Sequence, residues 1–182
     1  MFAFAPARSF AAFALMSALV MPVASFGAAD SGTSASDEAP KCPQGKVWDK
    51  KKEKCVVAES SLGNDALYDA GRQLAKAGEF EQAIRVLALA PDKNDPRVLN
   101  YLGYSHRKAG RVTVGLGYYQ EALRIDPDYV LVREYLGEAY LMLGDAASAR
   151  GQLTEIGKRC GTACAEYAEL ARQIDAFEKA NS

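Results

Sequence analysis

From Asn64 onward, apolar residues recur every three or four positions in blocks separated by Gly or by Asp-Pro. Such spacing places them on one face of an α-helix. Leu67, Ala70, Leu74 and Ala77 mark a first helix, with Asp65 as its expected cap and Gly78 as its end. Phe80 to Leu89 forms its partner. Asp95-Pro96 opens a second pair, Arg97 to Ala109 and Val112 to Arg124, because proline suits a first helical turn. Asp126-Pro127 then interrupts the chain before Val130 to Leu143 and Ala146 to Ile156. Tyr167, Leu170, Ile174 and Phe177 form a last stripe, on a helix over about Ala165 to Ala180 that reads as a polar-backed cap.

Ahead of Asn64 the pattern shortens. Pro43 and Gly45 set a turn, Lys46-Val47-Trp48 reads as a strand, Asp49 to Lys52 as a polar reversal, and Cys55-Val56-Val57 as the returning strand. A hairpin this small is marginal alone. A Cys42–Cys55 bond, closing a 14-residue loop, would add about 3 kcal/mol in the chain-entropy view.

The amino terminus follows different rules. Met1 to Ala29 carries one basic residue, Arg8, then the apolar run Phe10 to Val20, Pro22, and small residues ending in Gly27-Ala28-Ala29. These are the three regions of a secretory signal peptide. The unbroken run, about 11–12 residues, is well short of the ~20 that span a bilayer. Residues 30–40 hold no apolar period and read as a disordered linker. Export to an oxidising compartment makes the four cysteines two disulfides, Cys42–Cys55 and Cys160–Cys164, the second stapling the last helix to those before it. With 22 basic against 23 acidic residues, the chain has no charge excess pointing to nucleic acid or anionic lipid.

The helical blocks repeat. Leu99, Leu102, Gly103, Ala109-Gly110, Tyr119, Ala122 and Pro127 are echoed by Leu136, Gly137, Tyr140, Gly144, Ala149 and Leu153, with Gly103 and Gly137 34 residues apart. An earlier copy keeps Gly71, Leu74, Gly78, Phe80, Ala83, Leu87 and Ala90, with a shorter return through Pro91 to Pro96. At these residues the chain resembles the tetratricopeptide repeat family. The resemblance implies an all-α fold: a right-handed superhelix of three helix-turn-helix units over residues 64–157 (64–95, 96–129 and 130–160), with a capping helix in 161–182 and the cysteine-bridged hairpin of 41–60 in front. Gly71, Gly103 and Gly137 are then expected where the two helices of a unit come closest. Gly115 reads as close packing, and the pattern gives Gly117 no role.

In this family the first helix of each unit lines a concave groove. Here the resemblance assigns Asp65, Tyr68, Arg72 and Lys76 from the first copy, and Arg97, Asn100, Tyr104, Arg107 and Lys108 from the second. The third contributes Leu131, Glu134, Glu138, Leu141 and Met142. The groove so drawn runs from basic and aromatic to acidic and apolar. Some relatives hold a peptide's terminal carboxylate with Asn, Lys and Arg. Asn100, Lys76, Arg107 and Lys108 would form a partial version, suited to an acidic peptide.

Catalysis finds no footing. No Gly-rich phosphate loop, nucleophile elbow or zinc-binding helix motif occurs. The single His106 falls at an inward position and reads as a packed imidazole. Cys160 and Cys164 are separated by three residues, not the two of a thioredoxin-type site, and the cysteine spacings do not match zinc knuckles. The expectation is a non-catalytic scaffold of the bacterial cell envelope, periplasmic or secreted, that binds a partner polypeptide and carries no cofactor or metal. Two alternatives stand beside it: glycan binding by the hairpin through Trp48 and Lys50 to Lys52, or a thiol redox accessory role.

Overall fold

Helical spacing becomes seven α-helices, and the shorter pattern ahead of them two strands, among the described residues 40–43, 45–59 and 61–181 of this computed structural model. The expected signal segment 1–29 and linker residues 30–39 lie outside the described residues. The strands are β1 (Lys46–Asp49) and β2 (Lys54–Val57). The helices are α1 (Asn64–Lys76), α2 (Phe80–Leu87), α3 (Pro96–Lys108), α4 (Val112–Ile125), α5 (Val130–Met142), α6 (Ala146–Cys160) and α7 (Ala165–Ala180). Helices pair as α1 with α2, α3 with α4 and α5 with α6, and each second helix also packs on the first helix that follows it. This is the nearest-neighbour stacking of a helical repeat array.

Within each pair the turn is built the same way. Gly78, Gly110 and Gly144 adopt φ of 82°, 84° and 81°. Behind them the amides of Glu79, Arg111 and Asp145 donate to the carbonyls of Leu74, His106 and Tyr140, each at 2.9 Å. A left-handed residue followed by this long-reach bond closes a helix and reverses the chain. Between pairs, Asp95 caps α3 by accepting from the Arg97 amide at 2.8 Å, with Pro96 in the first turn.

Three boundaries depart from the sequence reading. Gly63, not Asp65, precedes α1 as its cap, and Asp65 sits in the first turn where Arg97 bonds it at 2.8 Å. Asn64 instead ties α1 to the loop after α2, donating to Asp95 Oδ2 at 2.7 Å and accepting from the Asp92 amide at 3.1 Å. The α2 helix stops at Leu87, short of Leu89. The α6 helix runs a full turn past Ile156 to Cys160, where Gly161 ends it at φ 79°.

The core forms three linked clusters along the chain. Close approach is enforced where a side chain is missing. A Cβ on Gly71 would meet Leu87 at 2.3 Å, and one on Gly103 would meet Tyr119 at 2.6 Å, both within their own helical pair as expected. Gly115 faces the Gly103 carbonyl, 2.6 Å from where its Cβ would sit. Gly137 departs from expectation: its neighbour is Leu170 of α7 at 2.6 Å, not a residue of α6. Packed on both α5 and α6, α7 takes the place of the first helix of a further unit.

The hairpin is docked, not pendant. β1 and β2 pair antiparallel with Trp48 opposite Cys55, and the expected Cys42–Cys55 bond ties β2 to the segment ahead of β1. Val47, 1% exposed, belongs to the same core cluster as Leu67 and Leu87. Lys50 Nζ reaches Asp69 of α1 at 2.8 Å. Cys160 and Cys164 are also bonded, so the described residues hold no free thiol.

Opposite outcomes are expected for two glycines. Gly137→Ala should cost about 1–3 kcal/mol by overpacking, and hydrogen exchange should locate the loss in α7. Gly117→Ala meets open space and should stabilise by up to ~1 kcal/mol, the usual helix-interior gain. Thermal unfolding of both variants checks the pair.

Candidate functional site

Leu102, Leu136 and Leu170 recur at 34-residue steps, so α3, α5 and α7 present equivalent faces side by side, with α1 beyond α3. A line of rings runs across this face. Tyr68 meets Tyr101 at 5.9 Å between centroids, Tyr101 meets Tyr104 at 6.0 Å, and Tyr104 meets Tyr135 at 5.2 Å. Each ring spans the gap between neighbouring helices or turns, giving the face an aromatic floor.

The residues assigned from the sequence take distinct positions on it. Tyr68 is half-buried beneath the Arg97 guanidinium, 4.8 Å from its ring centre. Arg72 is half-buried beside Tyr68 and Tyr101, and Lys76 is exposed. Lys108 is exposed, with its ammonium 6.0 Å from the Tyr104 ring. Asn100 is sealed at 0% exposure, and neither of its amide atoms makes a hydrogen bond. The Tyr129 hydroxyl is near enough to feel that amide but lies outside hydrogen-bond geometry, and burial pushes the phenol up to about 12.

Arg107 corrects the partial carboxylate clamp. It is 3% exposed, and Nη1 pairs with Glu138 Oε2 at 2.5 Å while Nε donates to Tyr119 Oη at 3.2 Å. Its guanidinium carbon stands 5.6 Å from the ring centres of both Tyr104 and Tyr135. A cation so placed is spent inside the fold and offers nothing to an incoming carboxylate. Glu138 in turn accepts from Gln173 Nε2 of α7 at 2.7 Å.

Between α3, α5 and α7 lies a cleft of about 680 Å³. Tyr104, Tyr135, Met142 and Phe177 give it apolar walls, with Lys108 and Arg172 at its edges. Met142 is 54% exposed there. The α7 contribution was missed because that helix reads as a cap. The signal was present: Leu170-Ala171 stands one period after Leu136-Gly137.

Glu134 is the unusual charge. It is 8% exposed, and no hydrogen bond or ion pair partners it among the described residues. Burial, reinforced by Glu138, Glu166 and Glu169, raises its carboxyl to about 7, with Arg107 opposing. His106 shifts the other way. Burial and then Arg111 lower its pKa, while Nδ1 accepts from Arg111 Nε at 2.9 Å and the ring stacks on Tyr118. The metal-type donor cluster among the described residues is Cys160, Cys164 and Glu166, and both of its sulfurs are held in the disulfide. No described helix is long and apolar enough to cross a membrane.

A raised carboxyl binds its proton more tightly in the folded chain, so Glu134 lowers stability as pH climbs from its ordinary 4.5 through about 7. The loss is about 3 kcal/mol at one unit per ~1.4 kcal/mol. Lowering of the His106 pKa acts with opposite sign, so the contrast between wild type and Glu134→Gln isolates the effect. The variant should gain on wild type steadily from pH 5 to pH 8 in denaturant melts. Parallel curves would refute it.

A family model for the tetratricopeptide repeat matches residues 68–130 and 102–156. No curated protein gives a significant match. Among solved structures, the type III secretion chaperone SycD of Yersinia enterocolitica, in complex with a peptide of the translocator YopD, is 22% identical. The alignment covers 64% of this chain and 89% of that one, with a TM-score of 0.54. The TPR2B domain of yeast Sti1, in a complex with pHsp70, is 16% identical over 64% and 93%, with a TM-score of 0.54. The first repeat domain of human RPAP3 is 18% identical over 64% and 94%, with a TM-score of 0.56. At these identities the likeness is one of fold. Repeat pattern, matched sequence and shared architecture agree on tetratricopeptide-type helical repeats over residues 68–156.

Proposed function

We propose that the protein is a non-catalytic scaffold that holds an extended segment of a partner polypeptide against the aromatic face of α1, α3, α5 and α7. The cleft walled by Tyr104, Tyr135, Met142 and Phe177 carries this reading, because it is preformed and open, with aromatic and apolar side chains set among charged and polar ones. SycD is described with a bound translocator peptide and the Sti1 domain with pHsp70. The same arrangement of helices here supports a polypeptide ligand of the same broad kind. With Arg107 committed to Glu138, the groove is not read as a clamp for a terminal carboxylate.

The compartment proposed is the bacterial periplasm or exterior. The signal-like pattern of residues 1–29 and the two disulfides both support export. Cell fractionation checks it: the expected species is a chain lacking residues 1–29 outside the cytoplasm. Unprocessed chain confined to the cytosol would refute export.

The groove is tested with a displayed library of random 12-residue peptides panned on the full mature chain. Retained peptides should bind Met142→Glu at least tenfold more weakly, about 1.4 kcal/mol. Gln120→Glu on the exposed side of α4 should leave affinity unchanged. Retention of no peptide, or equal binding to Met142→Glu, would refute the assignment.

A further inference from the structure

A buried carboxylate without a partner is costly to the fold. The charged side chains of the groove otherwise come largely in pairs. Arg107 takes Glu138, Gln173 bonds both Glu138 and Glu169, and Arg172 holds Glu169 at 2.5 Å. Glu134 stands one helical turn before Glu138, and residues four apart share a face. Glu138 lines the cleft, and Glu134 continues the same face of α5 one turn nearer the helix start. It also occupies the place in α5 that Asn100 occupies in α3, 34 residues earlier.

Two differences set Glu134 apart from Asn100. The sealed, unsatisfied side-chain atoms among the described residues belong to Asn100 and Ser105; the Glu134 carboxylate is not among them and keeps its small exposure. It also sits in a negative field, with Glu138 on its own helix and Glu166 and Glu169 on α7. Glu166, like Glu134, has no hydrogen bond or ion pair among the described residues. Arg107, the cation that opposes this field, is already paired.

We propose that Glu134, with Glu166 beside it across the α5–α7 junction, is a receptor for a basic side chain of the bound polypeptide. An arginine or lysine entering there meets a carboxylate that lacks a counter-ion, in a site of low exposure where charge pairing is little screened. Its aliphatic stem would run along α5 toward the cleft walled by Tyr135 and Met142. The cation supplies what the fold leaves out, so the pair forms without breaking an existing one. Cleft and carboxylate together select a segment carrying an apolar residue and a basic one.

This proposal rests on the groove reading above, and one experiment separates the two. Peptides retained from the random library are resynthesised with each Arg or Lys replaced by Gln, then titrated against wild type and Glu134→Gln. The expected result is a loss of tenfold or more for one basic position against wild type, and no loss for the same replacement against Glu134→Gln. In parallel, the side-chain carboxyl carbon of Glu134, followed by NMR, should shift to the ionised position at pH 6 when the basic peptide is added. Glu134→Gln replaces the carboxyl with a neutral group of the same shape, and its melting curve verifies folding. If Met142→Glu abolishes binding while every Gln replacement acts equally on wild type and Glu134→Gln, the basic receptor is wrong and the groove stands. Retention of no peptide overturns both.

Discussion

Arg107 is the keystone of this molecule. Its guanidinium joins four helices at once, bonding Tyr119 of α4 from its seat on α3, pairing with Glu138 of α5, and through Glu138 reaching Gln173 of α7. Removing one partner of such a buried pair costs about 3–5 kcal/mol, since the other charge is left without compensation. Few contacts otherwise link α3 directly to α5. The pair is therefore, with the Tyr104–Tyr135 ring contact, a direct tie between successive first helices at the cleft. Tyr104 and Tyr135 flank the guanidinium and form the walls of that same cleft. The buried pair and the cleft walls thus share the same side chains.

That double use explains what could be read in the chain and what could not. The period of Gly103 and Gly137, the recurring Gly turns and the Asp-Pro breaks each report a local requirement, so helix number and pairing were legible. Arg107 and Glu138 lie 31 residues apart, and each reads alone as a separate groove charge. Only the packing of α3 on α5 brings them together. The partner of Gly137 was misread for a related reason. Ala171 takes the small position in α7, and without a glycine the fourth copy passes for a cap.

Repeat arrays end in exposed faces, and both ends of this one are closed by different means. At the carboxyl end α7 buries Leu170 and Ile174 against α5 and α6, and the Cys160–Cys164 bond fixes the preceding turn. At the amino end the hairpin does the work. Two four-residue strands cannot hold themselves together in water, but the Cys42–Cys55 bond and the burial of Val47 over α1 make them a lid on the first pair. Trp48 then walls a cavity of about 310 Å³ with Ala66, Ala70 and Leu74. Cysteine spacing made the hairpin visible; its docking depends on Val47, one apolar residue with no periodic context.

The charges of the groove divide by depth as well as by sign. Lys76 and Lys108 are exposed near the α1–α3 end. Charges in contact with solvent are screened within about 8 Å at physiological salt, so they act on encounter more than on hold. Glu134 is buried near the α5–α7 end, where screening is weak and desolvation has already been exacted by the fold. A partner that satisfies it returns that cost to the complex. On the proposed reading, exposed cations act on how fast a segment arrives, and the buried carboxylate on how long it stays.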